Sequence, residues 1–371
     1  MTKVFISIPW FIPAFRAGGP IQSIANLVSQ PKQGYQFYIF CADTDLNGEA
    51  LPIQVKDKWV TFNDHTLVYY AGPDSRSVKF KKEWLSLKPD VLMVVGIYSW
   101  HFNLLPLLYA GKTRSIISVR GMLHPGALSQ KSLKKKWYLR VFKWMGLHKK
   151  RIFHATDEQE AAFIKDAMGA GASVLVAGNY PRLFNAVSRP VKNRGVLSMV
   201  SLALISPMKN HALLLNALKK VTENITYHIY GPVKDQAYWT DCLSIIAQLP
   251  GNIKVHIGGE LPPDRVSQAW MEADVMIMPS KSENFGHSII EALSAGLPVI
   301  TSRHTPWNGL ETAKAGINAD QTEDAIAEAI RFFAHMDDNE MQVWREGAVD
   351  YAGSAINLPA LHQQYAELFN G

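Results

Sequence analysis

The segment Ser280–Thr301 (SKSENFGHSIIEALSAGLPVIT) carries two carboxylates, Glu283 and Glu291, on either side of a loop that runs into a helix. Asn284, Phe285 and Gly286 read as the tight loop. His287 opens the helix, whose first backbone N–H groups, through Ser288 and Ile289, have no partner inside it and can meet a phosphate. Glu291 follows about one turn later, ~5 Å along the axis, where a carboxylate can take two ribose hydroxyls. Glu283, before the loop, faces the other end of the same ligand. A nucleotide diphosphate-sugar suits this geometry, with its sugar at Glu283, its phosphates at the helix start and its ribose at Glu291.

Other reactive groups fall where apolar runs end. Pro13-Ala-Phe-Arg-Ala-Gly18-Gly19-Pro20 follows the first such run, and paired glycines let a backbone approach a ligand closely, although a plain strand-to-helix turn uses the same residues. In Ser118-Val-Arg120-Gly-Met-Leu-His124, Arg120 offers a permanently charged fork for phosphate. His124, together with Trp100 and His101 of Tyr98-Ser-Trp-His, is a candidate general base or acceptor contact. Asp43-Thr44-Asp45 has a spacing that can hold a divalent metal, yet it follows the second strand of a chain whose later half has its own nucleotide-type site, and it reads as a loop. No His-rich spacing suggests a metal ligand set. Cys41 and Cys242 lie far apart and read as small buried residues in a reducing cytoplasm.

These groups need a scaffold. Short apolar runs alternate with helical patterns, which implies βα units and parallel sheets. One series of strands is expected at Val4–Ile8, Tyr35–Cys41, Thr66–Tyr70, Val91–Val95, Ser115–Val119, Ile152–Ala155 and Ser173–Val176, and a second at Val196–Leu202, Thr226–Tyr230, Ile253–Ile257, Val275–Met278 and Pro298–Thr301. A chain of 371 residues exceeds what one core usually covers, so the expected fold class is α/β with two doubly wound Rossmann-like domains. Asn179–Gly195, polar and basic with two prolines, reads as the linker between them. Domains of this kind facing one another leave a central cleft at their C-terminal strand ends, where such folds bind ligands. No window reaches the ~18 uninterrupted apolar residues of a membrane span, and the start MTKVFISIPWF lacks a signal peptide's layout. A nicotinamide-dependent dehydrogenase is disfavoured, because no Gly-x-Gly-x-x-Gly turn follows the first strand.

From Lys131 to Arg151 there are nine Lys or Arg and no acidic residue, and Leu133, Trp137, Val141 and Trp144 recur at helical spacing. In one reading this stripe packs on its own domain and the basic side chains stand in water. In the other, Lys134, Lys135, Lys136, Arg140 and Lys143 hold the helix on an anionic membrane surface, at about 1 kcal/mol per basic residue. The overall net charge is only +6, so the asymmetry is local and favours a docking surface. No recognised module for nucleic acid accompanies it.

The stretch from Ala273 to Ile300 resembles, in register, the Glu-x7-Glu signature of the retaining nucleotide-sugar glycosyltransferases of family 4, also called group 1, which have the GT-B fold. The resemblance implies domains at 1–185 and 186–354, with 355–371 returning to the first. It implies that Gly18 and Gly19 reach over the donor phosphates and that Ser206-Pro-Met-Lys209-Asn210 neutralises the pyrophosphate through Lys209. Leu204 stands where the family has an Arg, so leaving-group stabilisation rests on Lys209, the helix start and Arg120, with Glu283 orienting the sugar. The implied reaction is a metal-independent, cofactor-free transfer of a hexose-type unit to a glycan hydroxyl, on a lipid-linked acceptor in relatives that build envelope polysaccharides. The expected location is the cytoplasm, peripheral to the inner face of the membrane. A nucleotide-sugar 2-epimerase or isomerase of the same fold and an inactive glycan-binding relative stay open as alternatives.

Overall fold

A computed structural model of the protein describes residues 1–30, 34–129, 132–186 and 189–371; Lys131, the first residue of the basic run, lies outside the described residues. The chain divides into two compact units, Met1–Tyr180 with Leu358–Gly371, and Pro181–Asn357.

Unit 1 is built on eight strands: β1 (Thr2–Ser7), β2 (Tyr35–Ala42), β3 (Trp59–Asn63), β4 (Thr66–Ala71), β5 (Val91–Val95), β6 (Arg114–Ser118), β7 (Ile152–Ala155) and β8 (Ser173–Val176). Their order in the sheet is β3-β4-β2-β1-β5-β6-β7-β8. All neighbours run parallel except β3, which pairs antiparallel with β4. This corrects the all-parallel expectation, which omitted β3. Asp64 and His65 alone separate β3 from β4, and so short a connection admits only an antiparallel return. No residue of β3 is buried, so it lacks the apolar run that marks the inner strands. Side chains alternate across the sheet as a strand requires. Val4 and Ile6 share a core with Ile21, Ile24 and Leu27 of the helix Gly19–Val28 and with Tyr365, Leu368 and Phe369 of the helix Leu358–Asn370. Phe5, on the other face, meets Phe80 and Trp84 edge-on at 5.6 Å.

Unit 2 has six strands, all parallel: β9 (Val196–Leu202), β10 (Asn224–Tyr230), β11 (Ile253–Gly259), β12 (Val275–Met278), β13 (Val299–Ser302) and β14 (Gly316–Ala319). They lie in the order β11-β10-β9-β12-β13-β14. The sequence pattern does not reveal β14. It is four residues long and opens on Gly316, where an added Cβ would stand 2.0 Å from the Val299 carbonyl oxygen of β13. Close approach to its neighbour thus excludes the side chain that would have signalled a strand. One core face joins Met199 and Ile277 with Leu214 and Leu215, and the other joins Val200 and Met276 with Ile289, Ile290 and Leu293.

Both sheets reverse direction of winding beside their first strand, between β1 and β5 in unit 1 and between β9 and β12 in unit 2. At such a switch point the two departing loops separate and leave room for a ligand at the carboxyl ends of the strands. The stretch read as a linker is instead fastened to unit 2 over much of its length. Lys192 is buried and donates to the carbonyls of Asn193, Ala334 and Met336, and Arg189 donates to those of Trp270 and Ala295. Among the described residues no helix is long and apolar enough to cross a membrane.

Candidate functional site

The loops that leave β9 and β12 at the switch point of unit 2 are tied together. The Lys281 N–H donates to the Met208 carbonyl at 2.8 Å, and Lys209 Nζ donates to Glu283 Oε1. In this ion pair the two side chains are only 19% and 10% exposed. The Glu283 N–H donates to the His304 carbonyl at 3.0 Å. Just before, the Ser280 carbonyl accepts from Ser302 Oγ at 2.6 Å and from Gln321 Nε2 at 2.7 Å. The carboxylate at 283 therefore rides on backbone held from both sides, and its charge is matched by the one cation that the preceding loop contributes.

Asn284, Phe285 and Gly286 form the expected loop. The Trp307 indole donates to the Phe285 carbonyl, and its ring stands edge-on to Phe285 at 5.2 Å. The His287 ring also lies 4.7 Å from that of Phe285. Gly286 has φ +73°, and an added Cβ would come within 3.0 Å of Ile289 Cδ1, so the turn into the helix requires glycine. The helix His287–Ser294 has no side-chain cap, which leaves its positive end open to an anion. Ile289 departs from expectation. Its N–H is bound to the Gly286 carbonyl at 2.9 Å and its side chain lies wholly in the core, so the helix start narrows to the Ser288 amide and the loop before it. Ser288 Oγ lies 3.9 Å from Met278 Sδ.

Glu291, the carboxylate read as taking the ribose, follows within this helix. It is 6% exposed. Burial pushes its carboxyl up to about 8, against a smaller downward pull from the Arg182 charge. A carboxyl so placed keeps its proton near neutrality and surrenders it when hydroxyl donors arrive to replace water. Arg182, whose guanidinium lies 4.5 Å from the Phe184 ring, went unnoticed because it sits in the polar stretch read as a linker. Trp307 and Gln321 were missed as well, since support of a carbonyl leaves no mark on spacing.

The remaining candidates belong to unit 1. Gly18 has φ +70° and precedes the helix Gly19–Val28, which likewise has no side-chain cap. Asp45 Oδ2 accepts from the N–H groups of Phe15 at 3.1 Å and Arg16 at 3.4 Å, pinning this loop, while Asp43 pairs with Arg76 at 3.4 Å. Both aspartates thus do structural work in a loop, and among the described residues no group of three or more His, Cys, Asp or Glu is placed to hold a metal ion. Arg120, at φ +50°, donates to Asn179 Oδ1, and the next residue, Gly121, donates its N–H to the buried carboxylate of Glu160 at 2.5 Å. Trp100 is 53% exposed and begins a short π-helical turn after β5. His101 Nδ1 lies 3.2 Å from Ser77 Oγ, and burial with the nearby Arg76 charge lowers its pKa. His124 Nδ1 accepts from the Gly126 N–H at 3.0 Å, with its ring against Phe163 at 4.9 Å. Of the basic residues, Lys134, Lys136 and Arg140 are exposed. Lys135 and Lys143 turn to the carbonyls of Ala127 and Ala167, at 2.5 and 3.1 Å. Unit 2 therefore brings together Lys209 and Glu283 beside the helix start, whereas Gly18, Gly19, Arg120, Trp100, His101 and His124 are positioned by unit 1.

Residues 188–349 match the family described as glycosyl transferases group 1. The sulfoquinovosyl transferase SQD2 of Arabidopsis thaliana is 34% identical over 89 residues, 24% of this chain and 17% of its own length. A GDP-mannose-dependent alpha-(1-6)-phosphatidylinositol dimannoside mannosyltransferase of Mycobacterium tuberculosis is 39% identical over 59 residues, 16% of each chain. The matched stretches thus span about a sixth of these curated relatives. Among solved structures, Anabaena HepE in complex with UDP and glucose superposes over 100% of both chains with a TM-score of 0.71 at 16% identity, a likeness of fold, GT-B.

Proposed function

Through residues 188–349 the chain belongs to the group 1 glycosyl transferases, and from that premise we propose that it moves a hexose-type sugar from a nucleotide diphosphate-sugar to a glycan hydroxyl with retention of configuration and without a metal ion. The observation that carries this is the Lys209–Glu283 pair beside the uncapped start of the helix His287–Ser294, at the switch point of unit 2. Without donor, each charge neutralises the other. An arriving diphosphate takes Lys209, which releases Glu283 to accept from the sugar hydroxyls. The anomeric C–O bond to the diphosphate then breaks, a new bond to the acceptor oxygen forms on the same face, and the acceptor's proton passes to the leaving phosphate. Charge grows on that leaving group as the bond breaks, so Lys209 and the helix-start amide bind the transition state more tightly than the substrate. Glu291 takes the ribose.

UDP and glucose in HepE support a donor of this class. The phosphatidylinositol dimannoside acceptor in the mycobacterial relative's name supports a lipid-linked acceptor and a station at a membrane surface. Trp100, His101 and His124 are the acceptor-side residues of this reading. Thermal melting with UDP, GDP and ADP checks it first: one nucleotide at a hundred times its dissociation constant adds about 2.7 kcal/mol, and Glu291→Ala abolishes the gain. Labelled donor then identifies the reaction. Label in an acceptor supports transfer; label in isomerised free donor, or no turnover with bound nucleotide, selects the epimerase or the inactive relative.

A further inference from the structure

The helix Ser132–Trp144 of unit 1 shows solvent the stripe that its periodicity marks as apolar. Leu133, Trp137 and Trp144 are 84%, 68% and 86% exposed, while Leu139 and Phe142, on another side of the axis, fasten the helix to the core at 7% and 1%. Positions 133, 137, 140 and 144 fall on one face of a helix, so Arg140 stands within the stripe, with Lys134 and Lys136 beside it. Met145, 42% exposed, continues the apolar surface.

Beyond the helix, residues 148–151 (His-Lys-Lys-Arg) form one wall of an open cavity of about 530 Å³, and the turn at 169–173 forms the other; no carboxylate lines it. Arg151 is fixed by its Nη atoms, which donate to the Leu147 and Leu107 carbonyls at 2.9 and 2.7 Å. Its Nε, like His148 Nδ1, is buried with no hydrogen-bond partner among the described residues. Those two buried atoms do not face the cavity, but Lys149, Lys150 and Arg151 in its lining, with no carboxylate among them, suit an anion. The cavity is continuous in the chain with a helix whose exposed tryptophans and lysines are the combination that rests at a headgroup boundary, ring in the acyl edge and ammonium in water. A second copy of the chain does not fit the face, because nine basic residues and no acid from Lys131 to Arg151 would meet their own kind.

We propose that this surface docks the protein on an anionic bilayer, with Leu133, Trp137 and Trp144 entering the headgroup boundary and the cavity walled by residues 148–151 receiving a lipid headgroup phosphate. The docking is independent of the transfer chemistry. Flotation of the full chain with vesicles of phosphatidylcholine, with and without phosphatidylglycerol, tests it. Binding is expected only to the anionic vesicles and falls with added salt. Replacing Lys134, Lys136 and Arg140 by Gln lowers it about five-fold each, about a hundredfold together, and Trp137→Ser with Trp144→Ser lowers it at least about tenfold. Gly171→Phe, which sets a bulky ring on the cavity wall where an added Cβ meets nothing within 4 Å and leaves the charge unaltered, lowers it severalfold; equal melting temperatures of variants and parent show that the fold is kept. Equal binding to neutral vesicles, or binding unchanged in the tryptophan variant, overturns the docking, as does a dimer in solution that this variant dissolves or retention on nucleic acid alone. Unchanged binding by Gly171→Phe, or inorganic phosphate perturbing His148 in a chain that ignores vesicles, overturns the headgroup assignment.

Discussion

Unit 1 and unit 2 wind their strands in the same sense about β1 and β9, yet the loops that leave at the two reversals are made of different materials. In unit 2 they carry opposite charges that meet, Lys209 against Glu283. In unit 1 the first loop ends on Gly18, is held by Asp45 through backbone amides and pairs its Arg16 with Glu49 at 2.9 Å, and the second leads to an exposed indole at Trp100. A shared feature sharpens the contrast. Of the segments that follow switch-point loops, the helices Gly19–Val28, His211–Leu218 and His287–Ser294 lack side-chain caps, as does Arg76–Leu87 elsewhere, while the turn Trp100–Leu104 is capped by Ser99 and the helices beginning at Glu158, Gln236, Glu323 and Asp338 by Asp157, Asp235, Thr322 and Asp337. A cap contributes about 1 kcal/mol. Its absence leaves the starts of Gly19–Val28 and His287–Ser294 open to a ligand, whereas at His211–Leu218 the Ala212 N–H already donates to the Tyr238 hydroxyl at 2.9 Å, and the charge lining each loop then decides which ligand that is.

The largest expected effect tests whether charge at the unit 2 reversal matters to chemistry. Lys209→Ala lowers kcat by about a hundred- to a thousandfold, the range for loss of one preorganised charge-stabilising group. A loss under about tenfold would erase the distinction between the two loops. Next comes Glu291. Its carboxyl holds a proton to about 8 when folded and to 4.5 otherwise, so the folded chain binds more protons between these values and loses stability as pH rises through that window. Nucleotide binding through ribose hydroxyls requires the ionised form, so affinity measured by calorimetry rises with pH by up to about tenfold per unit below 8. In Glu291→Gln both dependences flatten; a pH-dependent affinity surviving that change would assign the titration elsewhere. The smallest effect lies in unit 1. Asp45→Ala removes a charged acceptor from the amides of Phe15, Arg16 and Leu46 and costs about 2 kcal/mol in denaturant unfolding, with kcat altered only a few-fold. A loss of kcat matching that of Lys209→Ala would make the glycine loop a direct participant.

Much of this was legible in residue order because the inner strands are apolar runs: β5, β7, β9 and β12 lie where the runs place them, and so does β8 at the sheet's edge. Two of the four edge strands were not. β3 is only half-buried and β14 begins on a glycine required by its neighbour, so neither carries the pattern that burial imposes. At the site, the loop through Gly286 and the helix after it follow from local chemistry. The burial of Glu291 does not, because tertiary packing sets it, and the Arg182 charge that acts on it stands over a hundred positions away in the chain. The inward turn of Lys135 and Lys143 is hidden for the same reason: charge is read from composition, but its direction is set by the carbonyls within reach.

The return of residues 358–371 to unit 1 has a consequence for biosynthesis. Tyr365, Leu368 and Phe369 belong to the first core, yet the ribosome delivers them only after every residue of the second has emerged. Domains ordinarily mature in the order of their synthesis. Here the half begun first is completed last, and its sheet must wait, with the seats of those three aromatic and aliphatic side chains empty, until the other half has had time to fold.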